Sequence, residues 1–220
     1  MIVAPSMLVA DFARLGDEAA ALEEAGADWL HWDVMDGHFV PNLTHGELPM
    51  SACREKSKLV FNAHLMISEP LRYLEGFIDG GADIIAAHIE AEDDAREFLE
   101  RVREAGRGPA LAVNPDTPAE KVEELLPLLD MITVMGVHPG FAGQEFIEDT
   151  VEKVAEIREM IGDREIHIQV DGGVATENIG RLCRAGADVI VSGSFVLQHA
   201  EGYARAIEQL RAIEDNPDER

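Results

Sequence analysis

Histidine and aspartate residues recur in the short apolar runs of this sequence, at spacings that suit metal binding. His31 and Asp33 stand two residues apart in the second run, so both point to the same side of an extended strand. His64 belongs to the third run, and Asp171 follows the seventh. A single strand histidine is more often a hydrogen-bonded structural residue, but two histidines and two aspartates at one height favour a ligand set. We therefore predict a divalent metal site at His31, Asp33, His64 and Asp171.

The two aspartates have a second predicted role, in proton transfer. Structural carboxylates usually lie on the surface, so two aspartates at apolar runs need partners or a metal. On opposite walls of one cavity, Asp33 and Asp171 would remove a proton from one face of a substrate and return one to the other face. A metal between them would polarise a carbonyl and stabilise the resulting enediolate. This chemistry makes them candidate acid–base residues.

Glycines follow the last three apolar runs and predict a phosphate site. Glycine lets backbone N–H groups approach an anion closely, and helix amino ends add a favourable dipole. Each segment alone is more often a tight turn, but three in consecutive loops favour phosphate binding, through backbone groups in a chain with only four lysines. The candidate residues are Gly140, Phe141, Ala142, Gly143, Gly172, Gly173, Gly193 and Ser194.

Methionines stand at the ends of several of the same runs. Met35, Met66 and Met135 would form an apolar collar that excludes water from the reacting carbons. We favour the alternative, that these methionines, with Met7, fill irregular gaps in the core, as this flexible side chain often does.

The apolar runs alternate with amphipathic stretches, a pattern typical of strands and helices in α/β proteins. Three helix-to-strand joints share a Gly-Ala-Asp sequence, at Gly26–Asp28, Gly81–Asp83 and Gly186–Asp188. The predicted strands are Ile2–Met7, Trp29–Val34, Leu59–Leu65, Ile84–Ile89, Ala110–Val113, Met131–Val137, Ile166–Val170 and Val189–Ser192. The predicted helices are Asp17–Ala25, Pro70–Asp79, Asp93–Ala105, Pro118–Leu129, Thr150–Ile161, Thr176–Ala185 and Gly202–Ile213.

Eight such units predict an α/β fold in which a parallel sheet closes into a (β/α)8 TIM barrel. A doubly wound open sheet is the alternative, but it normally has a glycine-rich phosphate turn after the first strand, and Ser6–Asp11 contains no glycine. A barrel carries its chemistry at the carboxyl ends of its strands, where the candidate residues stand. We predict one domain over residues 1–213 and a frayed acidic tail over 214–220.

Composition and charge exclude several classes of function. The 220 residues include 18 basic and 43 acidic side chains, a net charge of −25, which argues against nucleic acid and anionic membranes. No apolar run approaches the roughly 18 residues that span a bilayer, and the amino end has no secretory pattern. Cys53 and Cys183 lie in unrelated contexts, so we expect reduced thiols and a cytoplasmic location. The acidic surface would suit a high-salt cytoplasm, unless it reflects composition bias alone.

Several motifs together resemble one known family, the ribulose-phosphate 3-epimerases. The resemblance runs from the first predicted strand to the eighth, and its most specific block is His31–Asn42. The matching segments are Pro5–Phe12, His31–Asn42, His64–Met66, Pro139–Phe141, Val170–Val174 and Ser192–Ser194. It implies a barrel of the ribulose-phosphate binding type and an isomerase of the pentose phosphate pathway in carbohydrate metabolism.

The resemblance also implies roles for individual residues. His31, Asp33, His64 and Asp171 correspond to the metal ligands, with zinc the expected ion and Mn, Fe, Co or Mg as alternatives. Asp33 and Asp171 correspond to the acid–base pair, Ser6 and His64 to substrate contacts, and the glycine segments to the substrate and phosphate loops. The family inverts C3 of a ketose phosphate, interconverting D-ribulose 5-phosphate and D-xylulose 5-phosphate. A homo-oligomer is implied as well.

Five positions depart from the family pattern. Asn62 and Gln169 stand where acidic residues are usual, each two residues before a predicted ligand, so negative charge beside the metal is lost. His45, His138 and Ala142 differ from the usual residues in the loops near the substrate.

Other functions stay open at this stage. An allulose 6-phosphate 3-epimerase would use the same residues on a six-carbon sugar. A sugar-phosphate lyase or decarboxylase on a similar barrel would need an Asp-x-Lys-x-x-Asp pattern on strand three, where this chain has Asn62-Ala63-His64. A non-catalytic sugar-phosphate sensor would not need both Asp33 and Asp171.

Overall fold

Eight parallel strands form a nearly closed barrel in the computed structural model, which describes residues 1–215. The strand order is β1-β8-β7-β6-β5-β4-β3-β2, and a bridge between Ser6 and His31 joins the first strand to the second. This confirms the predicted (β/α)8 barrel. The strands are β1 Ile2–Pro5, β2 Trp29–Met35, β3 Val60–Met66, β4 Ile84–His88, β5 Gly108–Val113, β6 Met131–Met135, β7 His167–Asp171 and β8 Val189–Ser192.

Helices cover the outside of the barrel. The α-helices are α1 Leu15–Glu24, α2 Glu47–Cys53, α3 Pro70–Asp79, α4 Ala95–Glu104, α5 Thr150–Ile161, α6 Ile179–Ala185, α7 Ser194–Leu197 and α8 Tyr203–Asp215. Three 3-10 segments, Met7–Val9, Phe12–Arg14 and Ala119–Leu128, complete the set. None of the helices within residues 1–215 is long and apolar enough to cross a membrane.

Several predicted boundaries are wrong for identifiable reasons. Strand β1 ends at Pro5 instead of Met7, because the Ser6 hydroxyl accepts a hydrogen bond from the Leu8 N–H and starts a 3-10 turn. The segment after β5 is a 3-10 helix that contains Pro127, which has no N–H to donate. Helices α2 and α7 were not predicted. The predicted frayed tail falls mainly on residues 216–220, outside the described chain.

Alternation along each strand sorts side chains between two layers. In β2, Leu30 and Trp32 pack outward against the helices, whereas Trp29 fills the barrel interior. His31 and Asp33 are therefore held on the interior side. Small or apolar residues fill the lower interior, namely Ala4, Trp29, Ala86, Ala110, Met131, Val189 and Val191. The polar groups lie above these residues, towards the carboxyl ends of the strands.

The aspartates of the repeated Gly-Ala-Asp sequence connect neighbouring strands near the amino ends of the strands. Each aspartate accepts a hydrogen bond of 2.8–2.9 Å from a backbone N–H of the adjacent strand and pairs with an arginine at 2.6–2.9 Å. The sequence repeat is thus a structural device that holds strand register. The sets are Asp28 with Val3 and Arg211, Asp83 with Phe61 and Arg54, and Asp188 with Ile168 and Arg158.

We predict that Asp188→Asn makes folding less stable in a pH-dependent way. Burial raises the pKa of Asp188, but His167 at 3.7 Å and hydrogen bonds from the Ile168 N–H and Arg158 outweigh it and lower the pKa to about 2. A depressed pKa contributes stability that is complete above the unfolded value of about 3.9 and is lost as pH falls towards 2. Because the Asp188 side chain is 40% exposed, we expect Asp188→Asn to lower the free energy of unfolding at pH 7 by only about 1 kcal/mol.

Denaturant unfolding at pH 7 and pH 3 checks this prediction. The matched control is Asp163→Asn, an exposed aspartate in the turn before β7, which removes the same charge without those bonds. The difference in the free energy of unfolding between Asp188→Asn and Asp163→Asn should be smaller at pH 3 than at pH 7. An equal difference at both pH values would contradict the pH-dependent role of Asp188.

Acidic side chains are concentrated on the surface. Of those whose burial is described, only Glu18, Asp33 and Asp171 are buried. Glu18 accepts a hydrogen bond of 2.5 Å from the Tyr203 hydroxyl. The other two lie together at the carboxyl ends of β2 and β7, where burial of charge needs local compensation.

Candidate metal and substrate site

Four predicted ligands converge at the upper end of the barrel. His31 Nε2 lies 3.2 Å from Asp33 Oδ1 and 3.5 Å from Asp171 Oδ2. His64 Nδ1 lies 3.4 Å and 3.2 Å from the same two oxygens. One potential ligand atom from each residue falls within 4.8 Å of all the others. Residues that are 140 positions apart in the chain thus come together because β2, β3 and β7 end at one rim.

The two buried carboxylates of this cluster require a compensating positive charge. Burial raises the pKa of both aspartates, and Asp33 raises that of Asp171 further, but His31 and His64 lower both pKa values below the ordinary range. Burial lowers the pKa of His31, but the two carboxylates raise it by more, to about 10. The same balance raises the pKa of His64. Protons on the histidines, or a divalent cation in their place, compensate the buried carboxylates.

The donor set fits a divalent metal ion. His64 Nδ1 is buried without a hydrogen-bond partner, although two carboxylate oxygens lie within 3.5 Å. Two imidazole nitrogens and two carboxylate oxygens suit zinc and other first-row metals. His31 Nε2, His64 Nδ1 and one oxygen each of Asp33 and Asp171 would hold the ion.

Ser6 secures one of the carboxylates. Its hydroxyl donates a 2.5 Å hydrogen bond to Asp33 Oδ2, and its oxygen accepts from the Leu8 N–H at 3.2 Å. Asp33 therefore has one oxygen turned to Ser6 and the other to the histidines. This fixes the orientation of the carboxylate below the cavity.

A cavity of about 700 Å³ opens above the cluster. His31 and His64 do not line it, because they are fully buried beneath, so His64 contacts the ligand cluster and not the cavity. The predicted residues that line it are Ser6, Asp33, Met35, Met66, Met135, Gly140, Phe141, Ala142, Gly143, Asp171, Gly172, Gly173, Gly193 and Ser194. The structure therefore brings the proposed acid–base, loop and collar residues to one space.

Two cavity glycines have conformations that other residues rarely adopt. Gly172 and Gly173 have φ values of 97° and 68°. A Cβ at Gly172 would lie 2.4 Å from Val137 Cγ2, and one at Gly173 would lie 2.8 Å from Phe146 Cα. Close packing of the loops after β6 and β7 therefore explains both glycines, whether or not they also bind phosphate.

The acidic chain brings no strong cation to this cavity. None of the described residues that line it is lysine or arginine. Among the described lining residues, His199 has the one side chain that can carry a positive charge; sequence reasoning missed this residue and its neighbour Gln198. Any anion bound here must rely mainly on backbone N–H groups and on hydroxyls such as that of Ser194.

Asn62 and Gln169 face the barrel interior, as predicted, but contact different groups. Asn62 Nδ2 lies 3.2 Å from His31 Nδ1, and its Oδ1 is buried without a partner. With the two amide atoms of Asn62 exchanged, its Oδ1 accepts a hydrogen bond from His31 Nδ1–H. His31 Nε2 is then free to bind a cation. Gln169 instead accepts a 2.9 Å hydrogen bond from Thr133.

The loop departures lie at unequal distances from the cavity. Ala142 lines it, as does the half-exposed Phe141. His138 does not, and its Nδ1 lies 3.8 Å from Asp116. His45 packs edge-on against Phe12 and Trp32, outside the cavity lining.

Sequence reasoning missed one pair of residues next to the ligands. His88, at the end of β4, places its Nε2 2.9 Å from His64 Nε2, and Glu90 lies beyond it. The available signal was another histidine at a strand end, followed two residues later by an acid.

A parallel barrel with a buried cluster of two histidines and two aspartates under a loop-lined cavity defines a class of α/β-barrel enzymes suited to metal-assisted proton transfer. The model of the ribulose-phosphate 3-epimerase family matches residues 2–197. The chain belongs to that family and is an epimerase, an enzyme of the isomerase class.

Individual relatives agree with this assignment. The chain is 46% identical to a ribulose-phosphate 3-epimerase of Rhodobacter capsulatus over 96% of its own length and 94% of the relative. It is 41% identical to a chloroplastic ribulose-5-phosphate-3-epimerase of Arabidopsis thaliana, covering 96% and 76% of the two chains. A solved 3-hexulose-6-phosphate synthase superposes with a TM-score of 0.71 over 96% and 99% of the chains; at 17% identity this likeness shows the fold alone.

Proposed function

We propose that this chain interconverts D-ribulose 5-phosphate and D-xylulose 5-phosphate by inverting C3. The observation that supports this most strongly is the pairing of Asp33 and Asp171 across one buried cluster below the cavity. Two carboxylates held apart by histidines can serve opposite faces of a substrate carbon. The names of the relatives supply the substrate class, a sugar phosphate.

The proposed chemistry follows from which groups gain and lose protons. One aspartate removes the C3 proton, and the other delivers a proton to the opposite face. Both carboxylates are ionised in the cluster, so the delivering group must take a proton from solvent before it protonates C3. Ser6 orients Asp33 for this task. Met35, Met66 and Met135 exclude water from the reacting carbons, and Gly140–Gly143 contact the substrate.

Zinc is the metal we propose, held by His31, Asp33, His64 and Asp171. Two nitrogen and two oxygen donors suit it, although Mn, Fe, Co and Mg use overlapping ligands. Such an ion would act as a Lewis acid that polarises the substrate carbonyl and stabilises the negative charge that develops on its oxygens.

The phosphate group would bind at the loops after β7 and β8. Gly172, Gly173, Gly193 and Ser194 line that side of the cavity. Phosphate sites of (β/α)8 barrels commonly occupy this position. With no lysine or arginine among the described lining residues, the site would depend on backbone N–H groups.

Epimerisation of allulose 6-phosphate is the second candidate. A cavity of about 700 Å³ leaves room for a sixth carbon, and Ala142, which departs from the family pattern, lines it. A lyase or decarboxylase is disfavoured, because β3 has no lysine beside His64. A sensor is disfavoured as well, since binding alone does not require two buried acid–base groups.

Assays of the purified protein on both sugars, with elemental analysis, test the proposed substrate. We expect kcat/KM for ribulose 5-phosphate to exceed that for allulose 6-phosphate by about 10–200-fold, the range that one extra carbon group is worth in a fitted pocket. A preference for the six-carbon sugar would overturn the substrate assignment and keep the C3 chemistry.

We also propose a homo-oligomer in the cytoplasm. Phe12, Leu43 and Leu48 are 47%, 74% and 73% exposed, and contact with a second copy of the chain would bury these apolar side chains. Cys53 and Cys183 form no disulfide bond, which supports a reducing compartment. Light scattering and cell fractionation measure the two properties.

A further inference from the structure

A chain of buried hydrogen bonds begins at the side of His64 that faces away from the ligand cluster. His64 Nε2 lies 2.9 Å from His88 Nε2, and His88 Nδ1 lies 3.1 Å from Glu90 Oε2. Glu90 Oε1 accepts a 2.9 Å hydrogen bond from the Asn114 N–H. Both rings are buried, and none of these three side chains lines the cavity. These hydrogen bonds therefore reach the ligand cluster through His64.

The positions of the protons decide which group donates and which accepts in each of these hydrogen bonds. A carboxylate only accepts hydrogen bonds, so His88 Nδ1 must carry a proton for Glu90. Glu90 is ionised, because burial raises its pKa but the hydrogen bonds from His88 and the Asn114 N–H, with a contribution from Thr117, lower it by more. One ring proton on Nδ1 satisfies the contact with Glu90 and leaves Nε2 free to face His64, so a neutral His88 accounts for both of its contacts. Its Nε2 is then an acceptor, and the one proton between the two Nε2 atoms belongs to His64.

The consequence lies on the other edge of the His64 ring. A neutral His64 with its proton on Nε2 has its lone pair on Nδ1, the buried atom that lacks a hydrogen-bond partner and faces Asp33 and Asp171. A metal ligand needs that lone pair, and partners of the second ring nitrogen commonly fix the tautomer.

We propose that His88 and Glu90 are positioning residues that hold His64 in the Nε2–H tautomer, with the Nδ1 lone pair directed into the metal site. This inference rests on the proposed metal site and deepens it. It predicts that metal affinity depends on two residues that touch neither the metal nor the substrate.

Glu90→Gln tests this proposal because it should reverse donor and acceptor in the hydrogen bonds that link residue 90, His88 and His64. The Asn114 N–H needs an acceptor, so the amide oxygen of the new side chain takes the place of Oε1. The amide NH2 group then faces His88 Nδ1 and makes it an acceptor. His88 donates from Nε2 to His64 Nε2, and the remaining proton of His64 moves to Nδ1, where it competes with the metal.

The measurement is Zn²⁺ affinity, obtained by titrating the apoprotein with Zn²⁺ against a chromophoric chelator. We expect Glu90→Gln to weaken binding by about 10–100-fold, as loss of an outer partner typically does. Nitrogen-15 NMR of histidine-labelled apoprotein, recorded at a pH high enough for His64 to be neutral, should also report a change in the His64 tautomer. Glu92→Gln is the matched control, since it removes an equal charge from an exposed side chain on the same loop; it should keep the parent affinity.

The outcomes separate the two levels of inference. If the parent binds no Zn²⁺ and no other divalent ion, the proposed metal site fails. If the parent binds Zn²⁺ and Glu90→Gln binds equally well with an unchanged His64 tautomer, only the positioning role is overturned. Should Glu90→Gln not fold, His88→Phe decides: it keeps a ring but removes the acceptor, and parent-like Zn²⁺ affinity in that variant would overturn the proposal.

Discussion

We expect Asp171→Asn to lower kcat by about 10²–10⁴-fold, the contribution typical of a general acid or base. The amide cannot accept the substrate proton, although it fills the same space at the end of β7. This loss corresponds to about 3–5 kcal/mol of barrier. Steady-state kinetics on ribulose 5-phosphate measures it.

Asp171 is also a proposed metal ligand, so the metal content of the variant has to be measured with its rate. Asp163→Asn is the matched control, because it makes the same substitution at an exposed position and should keep normal turnover. If Asp171→Asn retains its metal and turns over almost normally, Asp171 is a ligand only and the two-acid mechanism is wrong.

Removing the metal should abolish activity to a similar or larger extent. Without a cation the two buried carboxylates retain only histidine protons, and nothing polarises the substrate carbonyl. We expect a loss of about 10³-fold or more after dialysis against a chelator, equivalent to several kcal/mol of barrier. Activity should return when Zn²⁺ or another suitable divalent ion is added.

The pH dependence of reloading gives an internal check on metal removal. Because the pKa of His31 is raised to about 10 in the absence of a cation, metal binding at neutral pH must displace its proton. Apparent affinity should therefore rise with pH between about 6 and 9. A fully active protein that elemental analysis shows to be free of metal would contradict the proposed role of the cluster.

Periodicity in the sequence was sufficient to predict the barrel and the convergence of its ligands. Alternation within β2 places His31 and Asp33 on one side, and a parallel barrel brings the ends of β3 and β7 to the same rim. No knowledge of strand stagger is needed for that step. The Gly-Ala-Asp repeat was recognised as helix-to-strand joints, but its arginine partners lie 29–183 residues away in the chain and could not be read from it.

Contacts that depend on register and side-chain direction were beyond the sequence. The hydrogen bond between His88 and His64 requires the stagger of β4 against β3, in which Ala86 and not His88 is the backbone partner of His64. The contrast between Asn62, which reaches His31, and Gln169, which reaches Thr133, has the same origin. Strand β1 was predicted too long because a local Ser6 cap outweighs its apolar pattern.

Proton exchange at C3 tests the proposed epimerisation most directly. Ribulose 5-phosphate would be incubated with the metal-loaded protein in deuterated water and followed by proton NMR. Two carboxylates that exchange with solvent between turnovers predict xylulose 5-phosphate with deuterium at C3 and loss of the C3 proton signal. Formation of xylulose 5-phosphate that keeps its original C3 proton, or no conversion of the sugar, would contradict it.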